Sequence, residues 1–562
     1  MKRVIAALVF AALSLPAADL VLRNGKVVTL DPAMPQATAI AVTNGRISAV
    51  GSDAQIAKEI GSATRVIDLK GRLAIPGFID AHAHFTEIGE SKMILNLRDA
   101  KNWNEIVRMV AAAAKEAKPG QWIAGRGWHQ EKWDRKPSPD VRGFPVEASL
   151  SAVSPNNPVL LEHVSGHAVF VNHAALARAG VTRATPDPPG GEILKDAQGN
   201  PTGLLNEAAQ GLARKAMDTD NARKSAADQE ARAQKIIDLA AADVISKGIT
   251  TLEDAGSPGD VVDRLRARAE KGGLPLRLYV MLRMSTSEFA ANAKKYRIVD
   301  DADHHLTVRA VKRYMDGALG SRGAWLLAPY ADLPSSTGLN VEDLKDIEAT
   351  ARVAIANDYQ LCIHAIGDRA NREVLNLYEK IFREHPEKKD VRWRIEHAQH
   401  VDPKDIPRFA QLGVIASMQP IHATSDAPMV IPRLGQKRAR EGAYVWRSLM
   451  DAHAHVASGT DAPVEDVDPI PNFYAAVTRK TAMGQEFFPA QKMTRIEALA
   501  SYTVEPAYAA FEENLKGRLK VGMLGDITVL SRDILTVPEA QILGTRADYT
   551  IVGGKVAYER PR

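Results

Sequence analysis

The stretch Leu73-Ala-Ile-Pro-Gly-Phe-Ile-Asp-Ala-His-Ala-His84 decides how this chain reads. It is apolar up to two histidines, His82 and His84, and predicts a buried strand over 73–82 with imidazoles at its end. Side chains alternate faces along a strand, so positions two apart project to the same side. Two imidazoles at one strand mouth can close on one metal ion, and such a site needs further donors. Working outward, later strand-like runs supply them: Lys312 in LTVRAVKRYMDG, His364 in YQLCIHAIGD, His397 in VRWRIEHAQH and Asp461 in HVASGTDAP. A lone histidine in such a run is usually structural. Four histidines and a carboxylate gathered at strand ends point to metal.

The same runs predict the architecture. From about residue 225, helical and strand patterns alternate: a helix in QEARAQKIIDLAAADVISKG, then ITTLEDAG, a helix around 260–272, LRLYVMLRM and LTVRAVKRYMDG. Next come a helix around 341–357, YQLCIHAIG, a helix around 369–384, VRWRIEHA, a helix around 403–412, GVIASMQP, a helix near 439–452 and HVASGTDAP. With the strand at 73–82 this makes eight, the number in a (β/α)8 TIM-like barrel. A doubly wound sheet shares the alternation, but the polar residues sit at strand C-terminal ends, where barrel enzymes place their chemistry.

Residues 19–75 read as short strands around the tight-turn dipeptides Asn24-Gly25 and Asn44-Gly45. The C-terminal 513–562 alternates apolar and polar residues in the same way, so both chain ends are expected to build one β-sandwich domain. The barrel would occupy 76–512. Residues 100–210 break the alternation and read as an insertion after the first barrel strand; insertions of this size are usually functional.

At 562 residues the chain has ample length for two or three domains. A net charge of +4 against 72 basic and 68 acidic residues gives no reason to propose nucleic acid. Lys2 and Arg3 precede an apolar run from Val4 to Leu15 and then Pro16-Ala17-Ala18, the layout of a signal peptide over 1–18. That run is too short to span a bilayer, so no stable membrane anchor is expected. The protein is expected to be exported, periplasmic, and to begin near Asp19. The single cysteine, Cys362, excludes an intrachain disulfide and reads as a small buried core residue.

Lys312 admits two readings: an exposed lysine beside Arg309 and Arg313, or a neutral strand-end amine that takes up carbon dioxide as a bridging carbamate. At this point the motifs GFIDAHAHF, KRYMDGALGSRGA, HAIGD, RIEHAQ and SGTDAPV resemble the metal-dependent amidohydrolase superfamily. The likeness is greatest to the amidohydrolase-3 group that includes N-substituted formamide deformylases. It extends to GWHQEKW, SGHAVFVNHAAL and DPPGGEI in the insertion.

The resemblance implies that His82 and His84 bind one divalent metal with Asp461, and that His364 and His397 bind a second. Lys312, as N6-carboxylysine, would bridge them, with zinc as the expected metal and one or two ions per chain. A metal-bound hydroxide would attack the scissile carbonyl, with Asp461 as catalytic general base. Related insertions often carry an acidic residue where this chain has His129. His129, His167, Asp316 and Arg322 are the substrate-binding candidates; the alternative is a structural role for the two histidines and a supporting role behind the site for Asp316 and Arg322, which follow the Lys312 strand directly.

The expected partner is a small-molecule linear amide cut at a non-peptide carbon–nitrogen bond, with a homodimer as the assembly to test. A deaminase, or an ester, lactone or dipeptide hydrolase on the same scaffold, stays open. So does a non-catalytic solute-binding or regulatory protein. Specificity lies in loops and the insertion, which these motifs do not fix.

Overall fold

The computed structural model describes residues 17–130, 133–163, 168–189 and 191–561. The predicted signal segment, apart from Ala17 and Ala18, and His167 lie outside the described residues. The chain divides into two compact units: residues 86–240, and the chain up to Phe85 together with Ala241–Arg562.

The larger unit holds the barrel. Its strands are β1 (Phe78–Ala83), β2 (Ile249–Ser257), β3 (Arg277–Leu282), β4 (Leu306–Tyr314), β5 (Gln360–Ala365), β6 (Arg394–His397), β7 (Ile415–Met418) and β8 (Val456–Ser458). Each pairs in parallel with the next from β1 to β8. Past the strand ends β8 meets β1 through two backbone bonds, Asp461 N–H to His82 O (2.7 Å) and His84 N–H to Ala462 O (2.8 Å). The expected (β/α)8 architecture with an additional sheet domain is what the chain adopts.

Three local features differ from the sequence reading. The strand expected over 73–82 is two strands, Leu73–Pro76 in an outer sheet and β1 in the barrel. They part at Gly77, where an added Cβ would lie 2.2 Å from Thr250 Oγ1. Only a residue without a side chain lets the strand turn there against β2. The helix expected near 439–452 is also two, Gln436–Gly442 and Trp446–Asp451, separated at Tyr444, whose φ of 53° lies outside helical space. Between β3 and β4 the chain adds a helix, Thr286–Tyr296, opened by a Ser285–Glu288 capping box, and a short strand, Ile298–Asp300, antiparallel to β4.

Both chain ends contribute to the outer sheets. One has four strands from residues 20–68, and the other joins Lys26–Val28, Gln36–Ala37 and Leu73–Pro76 to Ile527–Leu530, Ala547–Val552 and Lys555–Glu559. Leu22, Val27, Ile40, Ile67, Ile527, Val529 and Ile551 share one buried cluster drawn from both sheets.

The smaller unit is wider than the 100–210 read from sequence. It has a six-stranded sheet running from Gly191–Lys195 through Pro201–Glu207, Ala168–Val171, Val159–His163 and Ile123–Trp128 to Leu95–Asn96. Trp103, Trp128, Phe170 and Leu204 are buried in its core.

Candidate metal centre at the barrel mouth

The imidazoles of His82, His364 and His397 converge at the C-terminal end of the barrel. The ring centre of His397 lies 4.8 Å from that of His82 and 4.4 Å from that of His364. Asp461 Oδ1 lies 3.4 Å from His82 Nε2 and 3.3 Å from His84 Nε2. Donor atoms of His82, His397 and Asp461 all fall within 4.8 Å of one another. His397 therefore stands between the two groups that the sequence reading kept apart, and it belongs as much with His82 and Asp461 as with His364.

Two of these residues reach the centre through unusual backbone. Strict alternation along β6 would send Glu396 and His397 to opposite faces. His397 adopts φ of 74° and Ala398 of 41°, and Asp461 adopts 59°. Left-handed backbone at non-glycine residues costs of order 1–3 kcal/mol each, and it is held where surrounding contacts fix it. Asp461 is fixed by its N–H bond to His82 O, and Thr460 beside it donates N–H and Oγ1–H to buried Asp80 at 3.0 and 2.6 Å. At Gly459 an added Cβ would come within 2.4 Å of His82 N, so β8 approaches β1 this closely only through glycine.

The rings are oriented from behind. His82 Nδ1 is hydrogen-bonded to Glu396 Oε2, and His397 Nδ1 to Gln419 Oε1 at 2.7 Å, which leaves each Nε2 for the centre. Glu396 is held by Arg394, whose Nε donates to Glu396 Oε1 at 2.7 Å. The same guanidinium donates to Glu253, to Ala81 O (2.6 Å) and to Ser417 Oγ (2.9 Å), so it crosses the barrel from β6 to β2, β1 and β7.

Burial and charge set the protonation states. Burial opposes ionisation of Glu396, but Arg394 and His82 overcome it and hold the carboxyl well below its usual range. Burial pushes Glu253 up to about 8 against the pull of Arg394. It pushes His364 down to about 3 and holds His397 well below its usual value. These imidazoles are neutral, as metal donors must be. Asp461 stays ionised because His82 and His84 outweigh its burial.

Lys312 is buried, with Nζ 5.0 Å from the centre of the Tyr314 ring and no hydrogen-bond partner. The exposed-lysine alternative does not describe it; burial lowers its pKa and favours the neutral amine. His82 Nε2, His364 Nε2 and His422 Nε2 are likewise buried without hydrogen-bond partners. Buried polar atoms left unpaired cost about 1–3 kcal/mol each, so a group of them aimed at one point fits a cation held there.

The remaining candidates go elsewhere. Of the two roles expected for Asp316, the bonds observed suit the supporting one: its carboxylate accepts from the backbone N–H groups of Trp325 (2.8 Å), Ile366 (2.9 Å) and Gly367 (2.7 Å). It lies 3.7 Å from His364 Nε2 and braces the segment after β5. Arg322 gives both donors to Asp332, at 3.0 and 3.3 Å. His129 lies in the smaller unit with its ring 4.9 Å from that of His163. Sequence reasoning passed over His422, whose Nε2 lies 3.8 Å from Asp461 Oδ2 and whose ring is nearly parallel to that of His397. It also passed over Glu396 and Arg394, whose signal was present: two charged residues two apart inside an apolar strand.

Fold and site together define a metal-dependent hydrolase barrel. The chain matches the model of the Amidohydrolase family over residues 65–558 and belongs to that family. It is 33% identical over 558 residues to Protein LONG AFTER FAR-RED 3 of Arabidopsis thaliana, covering 96% of this chain and 92% of the other. It is 28% identical to the N-substituted formamide deformylase of Arthrobacter pascens, covering 96% and 98%. Among solved structures it is similar to an uncharacterized metal-dependent hydrolase from Pyrococcus horikoshii, with a TM-score of 0.75, 25% identity and coverage of 93% and 99%.

Proposed function

We propose that this hydrolase cuts a linear, non-peptide amide, using divalent zinc held by His82, His84, His364, His397 and Asp461. The observation that carries the metal assignment is the convergence of buried, unpartnered His82 Nε2, His364 Nε2 and Lys312 Nζ beside Asp461. The amide assignment is supported by similarity to the formamide deformylase along nearly the whole chain. Nitrogen and carboxylate donors suit zinc. When bound, the metal supplies a lowered water pKa and polarisation of the scissile carbonyl.

The protein's own groups supply the rest. Asp461 is the general base: it is ionised, it sits against two imidazoles, and its second oxygen is turned to His422. It takes the proton from the attacking water and returns it to the leaving nitrogen. Glu396 and Gln419 hold His82 and His397 in the tautomers that present Nε2. Lys312, as a neutral buried amine, takes up carbon dioxide and releases a proton to become N6-carboxylysine, adding an anionic donor. The close grouping of His82, His397 and Asp461 also favours a one-ion form, and metal analysis separates one ion from two.

The test is amine release from a panel of N-formyl and N-acyl amides by the metal-loaded protein, with esters and cyclic amides beside them. Turnover of esters alone overturns the amide assignment. Asp461→Asn is expected to lower kcat about a hundred- to ten-thousandfold while metal remains bound; near-normal kcat moves the base elsewhere. Export is part of this proposal: exported protein should begin near Asp19, and an N-terminal sequence starting at Met1 would refute it.

A further inference from the structure

The proposed centre has a platform beside it that none of the preceding roles uses. Lys312 and Tyr314 are two apart on β4 and share one face, while Arg313 between them points outward to Glu342 and Asp346. Tyr314 therefore faces the barrel mouth with Lys312, and its ring centre lies 5.1 Å from that of His364 and 5.0 Å from Lys312 Nζ.

Arg283 is the first residue past β3. The β3–β4 register pairs Leu282 with Val311, which sets Arg283 level with Lys312. Its guanidinium carbon sits 4.6 Å from the centre of the Tyr314 ring. Its stem runs past Gly256: an added Cβ there would meet Arg283 Cβ at 3.3 Å, Arg283 Cδ at 3.4 Å and Lys312 Cγ at 3.5 Å. Gly256, with φ of 135°, thus leaves room for both side chains at the end of β2.

What Arg283 lacks is an anion. Its neighbours on the same rim are engaged: Arg322 and Arg433 share Asp332, and Arg313 has two carboxylates. Arg283 is exposed, and among the described residues no carboxylate or carbonyl pairs with its guanidinium, which lies over the Tyr314 face. An aromatic face steadies a guanidinium and leaves its in-plane N–H donors free. Those donors match a carboxylate in a bidentate fork, which an ammonium does not.

We propose that Arg283, seated on Tyr314, is a substrate-anion subsite, so that the substrate is an amide bearing a carboxylate, of the N-acylated amino acid class. The substrate class rests on the amide reading above; the anion subsite is tested independently of it. The guanidinium binds the carboxylate and holds the amide toward the centre beside His364. Arg283 is here a specificity residue, and it takes no part in bond breaking.

The test uses metal-loaded, full-length protein and a pair of ligands that amide hydrolysis cannot consume: an N-methylsulfonyl amino acid and the neutral alcohol in which CH2OH replaces its carboxylate. Glycine, leucine and phenylalanine versions are measured by titration calorimetry. The wild type is expected to bind the acid about ten- to a hundredfold tighter than the alcohol, the range for a hydrogen-bonded charged group. In Arg283→Met that ratio falls toward one; in Arg283→Lys, with charge but no fork, it lies between. Equal binding of acid and alcohol by the wild type, binding of neither, or an unchanged ratio in Arg283→Met overturns the subsite. Amine release from the corresponding N-acetyl amino acids is scored separately. The expected ratio without amine release would leave the subsite standing and remove the amide assignment.

Discussion

At the base of the barrel Arg277 donates to both oxygens of Asp526, at 2.8 and 3.1 Å, whereas at the mouth His82, His364, His422 and Lys312 each bury a nitrogen with no hydrogen-bond partner. Both ends are buried and carry charge. At the base, Asp526 also accepts the Gly553 N–H at 2.8 Å, and Arg277 donates to Asp303 O at 2.9 Å, so the cluster closes on itself and ties β3 to the outer sheet. At the mouth the groups face one another without completing their bonds. Charge that is satisfied internally serves the fold, and charge left open serves a ligand.

Substitution tests this contrast. His82→Ala or His364→Ala should lower turnover by more than the roughly hundredfold lost when a supporting residue of a metal ligand is removed, and should reduce bound metal. Circular dichroism should still report a folded barrel; global unfolding would make the mouth structural and erase the distinction. Arg277→Met should do the reverse. It leaves Asp526 buried and unpaired, at a cost of about 3–5 kcal/mol in denaturant unfolding, while the folded fraction keeps its metal content. Loss of metal with unchanged stability would contradict the assignment of the base.

Glu396→Gln probes the boundary between the two kinds of site, because Glu396 joins Arg394 to His82. Metal affinity, measured by competition with a chelator, should fall about ten- to a hundredfold. An unchanged affinity would mean that His82 is oriented by packing alone.

The gentlest test is pH. In metal-free protein His364 should stay neutral down to about 3, as read from its imidazole carbon shifts. An unfolded imidazole takes up its proton near pH 6.5. Between about 6.5 and 3 the unfolded chain therefore binds the extra proton, and this group makes the metal-free fold lose stability as the pH falls. The loss should be on the order of a few kcal/mol, with no contribution from this group above about pH 7. A His364 that titrates near 6.5 in the folded protein would show that the mouth is open to water.

Much of this was legible in the chain. Apolar runs ending in His82, His364, His397 and Asp461 placed these residues at strand ends, and alternating helix and strand patterns placed the ends in a barrel. Both inferences use only local periodicity. The break at Gly77 was not legible, since it depends on Thr250, far along the chain. Nor was His422, which follows β7 in a short helix, Pro420–Ser425, with no strand-end pattern of its own.

Sequence alone determined which chemistry is available: imidazole, carboxylate and amine groups at the ends of apolar strands. The tertiary structure decided how they are divided. It placed His397 between His82 and His364 by turning the backbone at 397 and 398, and it left Lys312 buried without a partner. It also spent the Asp316 carboxylate on three backbone amides. The reason is physical: residue type and spacing fix a side chain's chemistry and its face on a strand, but which hydrogen bonds it completes depends on atoms brought close by strands hundreds of residues apart.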